Sequence, residues 1–219
     1  IGLLLLLVVL ASGSVWGVTI NVPADHATIQ AAIDATVDGD TVLVAAGTYV
    51  EFIDFKSKII SLIGADSNTT FIDGRNAPDN VQTVIIRSDN ANKPLIESLT
   101  ILNGHGGIRA LGAIIRSCVI RDSQWHGLFP RAYSLLLEGN NTIENSVVIA
   151  SIGPPIGVHT GRTIMTNCTI INETDEETFL VNSDLDLINC VIHAQKKLYH
   201  RQLAAADSNP TFSLSYCFL

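Results

Sequence analysis

The chain has 219 residues, of which 47% are hydrophobic and 16% charged, and its formal net charge is -8. That composition excludes a disordered chain, which needs low hydrophobicity and high charge. It also argues against a nucleic-acid partner, because a phosphate-binding surface needs a basic stripe.

The first segment stands apart from the fold. Leu3 to Leu10 is an unbroken run of Leu and Val, followed by small residues and then Trp16 and Gly17. This is the apolar core and cleavage zone of a secretory signal peptide, expected over residues 1–17 with cleavage near Gly17–Val18. The run is too short to span a bilayer core of ~30 Å. The charged start of such a peptide and an initiator Met are missing, so the peptide is expected to be clipped. The mature chain, residues 18–219, is expected to be secreted, periplasmic or held at the cell surface, with no transmembrane segment.

A short amphipathic helix is expected over 27–37. Asp25 can act as its N-cap, Ile29, Ala32, Ile33 and Val37 form one apolar face, and Gly39 can end it in a left-handed conformation. Strands are then expected at 41–45, 49–53, 58–64, 70–74 and 84–87, each rich in Val, Ile and Thr and bounded by turn residues.

From residue 95 a repeat takes over. Segments 96–101, 115–120, 143–148, 165–170, 187–192 and 214–219 share an apolar residue, two others, a small or apolar anchor, any residue, and an apolar residue. The anchors Leu99, Cys118, Ser146, Cys168, Cys190 and Cys217 lie 19, 28, 22, 22 and 27 residues apart. A strand-like repeat of this length without helical periodicity predicts a solenoid of β coils. Stacking places residues of one phase above one another. Cys118, Cys168, Cys190 and Cys217 then form an inward ladder of small apolar groups, unbridged because their Cβ vectors run parallel. Asn145, Asn167 and Asn189 form a second ladder one residue earlier, at the coil corners. Asn103, Asp122 and Asn172 suggest a third, four residues after the anchor. The helix would cap the N-terminal end of the solenoid, covering apolar core and strand edge. Leu214 to Leu219 repeats the motif and stops in mid-strand, so a domain truncated at the C-terminus is expected.

The stretches Thr28-Ile-Gln-Ala-Ala-Ile-Asp-Ala35, Gly39-Asp-Thr-Val-Leu-Val-Ala-Ala-Gly-Thr-Tyr-Val-Glu51, Lys58-Ile-Ile-Ser-Leu-Ile-Gly-Ala65 and Ile72-Asp-Gly74 resemble the opening of the pectin lyase-like superfamily. That superfamily holds pectate lyases, pectin methylesterases, polygalacturonases and many uncharacterised β-helix proteins. The resemblance covers residues 20–75 by motif and 95–219 by repeat pattern. It implies an all-β fold, a right-handed parallel β-helix, and says little about activity.

Three chemistries can be weighed against the residues. A lyase of this superfamily uses carboxylates to hold Ca²⁺ and an Arg or Lys as base; calcium is expected only in that case. The candidates are Asp122, with Arg116, Arg121 and Arg131 nearby in sequence, although the phase of Asp122 reads first as a corner residue. A polygalacturonase needs paired carboxylates, and the family's adjacent Asp-Asp is absent. Gly104-His105-Gly106 matches a triplet of that family but reads as a turn. The motifs of a pectin methylesterase, two Asp and an Arg, are also absent. Trp125-His126 offers a sugar-stacking platform beside a polar cluster. The long interval between Cys118 and Ser146 predicts a protruding loop at 124–142, and loops carry function. Trp125 and His126 are therefore the substrate-binding candidates, and Asp122, His126 and Arg131 the catalytic ones. The Cys spacing does not fit zinc, so no metal site is expected. His159, His193 and His200 read as isolated surface residues. Glycosylation sequons stand at Asn68, Asn140, Asn167 and Asn172.

Two functions follow from different classes. One is a surface or glycan-binding module with a polysaccharide or cell-surface glycan as partner. The other is a polysaccharide lyase or glycoside hydrolase on an extracellular, uronate-containing polysaccharide. The missing family motifs favour the first.

Overall fold

The structure is a computed structural model that describes residues 17–78, 81–88, 91–123, 133–151, 153–175, 177–195, 199–201 and 211–218. Its strands form three parallel sheets, wound as a right-handed parallel β-helix. Sheet A has nine strands from Thr19–Val22 to Phe212–Ser215, sheet B seven from Gly47–Val50 to Val191–Ala194, and sheet C seven from Ile53–Asp54 to Tyr199–Arg201. One coil shows the order: Leu95–Glu97 in sheet A, Thr100–Leu102 in sheet B, Ile108–Leu111 in sheet C. The next coil enters sheet A with Ile114 opposite Leu95.

Alternation along each strand sends every second side chain inward, and stacking turns those positions into columns. Sheet B contributes Ile72, Ile101, Ile120, Val148, Ile170 and Ile192, each in register with the next. All six are buried. Burying each is worth ~1.5–3 kcal/mol.

The corner between sheets A and B is a single tight turn. Ser98, Ser117, Asn145, Asn167, Asn189 and Tyr216 occupy it with φ between 51 and 58°. Asn tolerates this left-handed conformation better than most residues. Asn167 Nδ2 donates to Asn145 Oδ1 at 3.2 Å, and Asn189 Nδ2 to Asn167 Oδ1 at 2.7 Å. Just inside the corner stand the cysteines, all four unbridged. Their thiols lean on carbonyl oxygens two residues back, from Cys118 to Arg116 at 3.2 Å and from Cys168 to Thr166 at 3.3 Å. Ser146 keeps the column polar at one level, its hydroxyl accepting from the Cys118 N–H at 3.2 Å. Burial pushes the Cys118 thiol up to about 12. The neighbouring Cys190 thiol and burial push Cys168 up as well.

Helix α1 (Ile29–Ala35) packs against the first coil with Ile29, Ala32 and Ile33 buried. It is shorter than the pattern predicts, and its caps differ. Thr28, not Asp25, caps the N-terminus, accepting from the Ala31 N–H at 3.2 Å. Asp25 instead binds the Asn21 N–H at 2.7 Å. The helix stops at Thr36, so Val37 is 59% exposed and Gly39 (φ 93°) serves the following turn. The first coil clamps both ends. Glu51 accepts from the Ile29 and Gln30 N–H groups at 3.0 and 2.9 Å. Lys58 Nζ donates to the carbonyls of Ile33, Asp34 and Thr36 at 2.7, 2.9 and 2.7 Å. These charges complement the helix dipole at each end.

The third ladder is only partial. Asn103 and Asp122 are left-handed at φ 58 and 57°, after strands that pair in register. Asn172 is the last residue of its strand, buried, and donates to Thr178 Oγ1 at 3.2 Å. The sheet B register keeps the position in phase, but Ala150 stands there between Asp122 and Asn172, and Asn172 ends its strand instead of taking the left-handed turn.

Candidate functional site

The outer face of sheet C gathers the polar groups that are not simply part of a ladder. In Ile108–Leu111, Leu135–Glu138 and Ile156–Val158, residues Ile108, Ala110, Leu135, Leu137, Ile156 and Val158 point into the core. Alternation therefore turns Arg109, Leu111, Leu136, Glu138 and Gly157 outward. The pairing sets Arg109 beside Leu136 and Leu111 beside Glu138. His159 follows Val158, which pairs with Leu137, so the imidazole rides on the coil next to Glu138.

Arg109 and Glu138 make a two-pronged ion pair, Nε to Oε2 at 2.8 Å and Nη2 to Oε1 at 3.2 Å. This fork fixes both planes. The His159 ring stands edge-on to Tyr133, with centroids 5.6 Å apart and planes at 90°. Tyr133 is itself buried, and its ring lies over Gly157, where an added Cβ would come within 2.7 Å of it. Glycine at 157 thus lets the aromatic ring lie on the strand. Burial lowers the His159 pKa, Glu138 works to raise it, and Arg109 adds to the lowering. The imidazole is therefore neutral at pH 7. Its Nε2 is enclosed without a hydrogen-bond partner, and so is Asn182 Oδ1 one coil further along. Enclosed polar atoms without partners are uncommon and point to a missing ligand or water.

The sequence-derived candidates fall elsewhere. Asp122 sits at the end of sheet B, 2.8 Å from Arg121 Nη1. Arg116 lies on sheet A, between Glu144 at 3.0 Å and Glu97 at 3.7 Å. These groups are on different faces and do not converge. Trp125, His126 and Arg131 lie outside the described residues. His193 is exposed on sheet B. Reading His159 as an isolated surface residue is corrected: its ring packs on Tyr133 and its Nε2 is enclosed. Among the described residues no three of His, Cys, Asp or Glu converge in one group. Near the end of sheet B, burial works to raise the Asp73 carboxyl, but hydrogen bonds from Arg75 and Asn103 overcome it and hold it below its usual range. That carboxylate is fully occupied.

The turn glycines were the signal that could have found the site. Gly112, Gly139 and Gly161 all take φ near 70° at the corner from sheet C to sheet A, and the residues just before them belong to the outer face.

No family model matches the chain, and no curated protein matches it. Solved structures do. A pectin methylesterase from carrot superposes with a TM-score of 0.63 at 16% identity, over 84% of this chain and 65% of that one. The Escherichia coli protein ybhc gives 0.67 at 12% identity, over 93% and 72%. The chain has the pectin lyase-like fold. A rice weevil pectin methyl esterase gives 0.50 at 16% identity, over 79% of this chain and 55% of the other. Identities this low establish the pectin lyase-like β-helix alone. The chain spans less than two thirds of the carrot protein's length.

Proposed function

We propose that this protein is a secreted β-helix module that binds an extracellular glycan on the outer face of sheet C. One observation carries the reading: the Arg109–Glu138 fork lies on the coils next to His159, whose Nε2 is enclosed without a partner, as is Asn182 Oδ1 one coil beyond. Sugars present hydroxyl groups that both donate and accept, and apolar CH faces between them. A fixed guanidinium–carboxylate pair offers donors and acceptors together. Leu111 and Leu136 supply apolar surface around it.

A second reading, action on a polysaccharide, draws on His159. A neutral imidazole beside an ionised carboxylate suits proton abstraction, as in uronate elimination. The retaining or inverting glycosidase plan is less favoured, because it needs two carboxyl groups across the bond and Arg109 holds Glu138 as an ion pair. The solved neighbours titled pectin methylesterase add ester hydrolysis to the activities worth assaying.

Calorimetric titration of the full chain against neutral and acidic plant and bacterial oligosaccharides tests the first reading. Binding is expected for at least one, weakened ~10-fold or more by E138Q and by H159A. Binding unaffected by both variants would refute the assignment of the site. Release of unsaturated uronate, reducing ends or methanol, lost in H159A, would replace binding with catalysis.

A further inference from the structure

Beside the outer face of sheet C, the corner leading back to sheet A holds a cleft of about 390 Å³ lined by Ser88, Lys93, Leu111, Gly112, Gly139 and Asn140. That size lies in the range of small-ligand sites. The cleft is continuous with the face described above, because Leu111 pairs with Glu138 and Gly139 follows it. Its charge is unusual for an acidic chain. No carboxylate lines it among the described residues. Two cations near it are committed: Arg109 to Glu138 at 2.8 Å, and Arg87 to Asp54 at 3.0 Å. Lys93 has no carboxylate partner among the described residues. Its Nζ makes one long contact, with Thr142 Oγ1 at 3.5 Å. Asn140 Oδ1 accepts from the Arg162 N–H at 2.9 Å, which leaves its amide nitrogen as a second donor. Glycine at 112 and 139 keeps the floor bare, each at φ near 70° where a side chain is strained.

Resting on the glycan-binding reading, we infer that this cleft is a subsite for an anionic substituent of the glycan, a carboxylate or a sulfate, with Lys93 as the residue that selects it. The ammonium pairs with the anion, and Asn140 adds a directed hydrogen bond. The rest of the sugar lies along Leu111 toward the Arg109–Glu138 fork. The subsite explains how a chain of net charge -8 accepts an acidic ligand: one cation without a carboxylate partner among the described residues stands in the cleft. An exposed pair of this kind contributes little, whereas a half-enclosed one contributes more.

The test is calorimetric titration of the full chain with three probes of equal length: a neutral galactan oligomer, an oligogalacturonate and a sulfated galactan oligomer. At low salt the charged oligomer whose anion fits is expected to bind ~10-fold more tightly than the neutral one, with the difference lost at high salt. K93Q is expected to remove that preference without changing affinity for the neutral oligomer or the melting temperature, and K93R to retain it. The two charged probes separate carboxylate from sulfate. Equal affinity for all three with no effect of K93Q overturns the subsite while the glycan reading stands. Failure of all three to bind overturns both.

Discussion

Replacing Lys58 by Met isolates what one ammonium does for the end of the solenoid. Met keeps the aliphatic stem and removes the charge. In the structure that charge serves three carbonyls at the C-terminus of α1, at 2.7, 2.9 and 2.7 Å. The last carbonyls of a helix have no partners within it. Ile33 O keeps a second donor, the Thr36 hydroxyl at 2.7 Å, and Asp34 is exposed, so water can replace Lys58 there. The Thr36 residue is buried at 3% exposure, and its carbonyl is left with the largest deficit. A charge-assisted hydrogen bond is worth about 1.5–3 kcal/mol net, and a cation at a partly buried helix end up to ~2. One charge provides both, so they do not add, and a loss of about 2–3 kcal/mol is expected. For a domain of this size that is a fall in melting temperature of roughly 4–12 °C. Thermal and urea unfolding followed by circular dichroism read it. K56M is the control, because Lys56 pairs with Asp34 on the surface, both about half exposed, and such a pair contributes at most ~1 kcal/mol. If K58M and K56M melt together, the two-ended clamp is not what holds the cap.

Asn167→Ala is expected to cost about 2 kcal/mol, losing both ladder hydrogen bonds and forcing alanine into a left-handed corner, while Asn167→Gly recovers about 1 of these; urea unfolding of the pair checks the order. Alkylation without reductant is expected to label Cys217, which is partly exposed, well before Cys118 and Cys168, and all four thiols in denaturant; a thiol that stays unlabelled in denaturant contradicts the unbridged column. Because burial raises Cys118 to about 12, the folded chain keeps a proton that the unfolded chain releases near pH 9. Stability is therefore complete below ~9 and falls as pH rises toward 12, which alkaline urea titrations will show. His159 shifts the other way: its lowered pKa leaves its contribution complete above the unfolded value of ~6.5 and lost as pH falls through the folded one. An NMR titration should place His159 below the ordinary imidazole value of ~6.5, and a midpoint at that value would contradict its enclosure.

The repeat made the solenoid legible because stacking imposes one phase on every coil. Cys118, Cys168 and Cys190 share a position only because each follows the same left-handed corner. The helix was legible from Ile29, Ala32 and Ile33, but its caps were not. Clamping by Glu51 and Lys58 depends on segments about 22 residues away in sequence, and no local pattern announces it. The site on sheet C was hidden for a related reason. Loops of unequal length follow sheet B, so Arg109, Glu138 and His159 stand at different distances from their anchors. Asp122 stands out in the sequence because it shares the sheet B phase, where the coil spacing is clearest, while polar groups with unmet hydrogen bonds lie one sheet further on.

Hydrogen exchange on the full chain, with and without the tightest-binding oligosaccharide from the panel, tests the central claim most directly. Slowed exchange is predicted over residues 107–112, 134–140 and 156–160, where the outer face of sheet C carries Arg109, Glu138 and His159, with sheet A unchanged. Protection confined to sheet A or to the outer face of sheet B, or none at saturation, would contradict it.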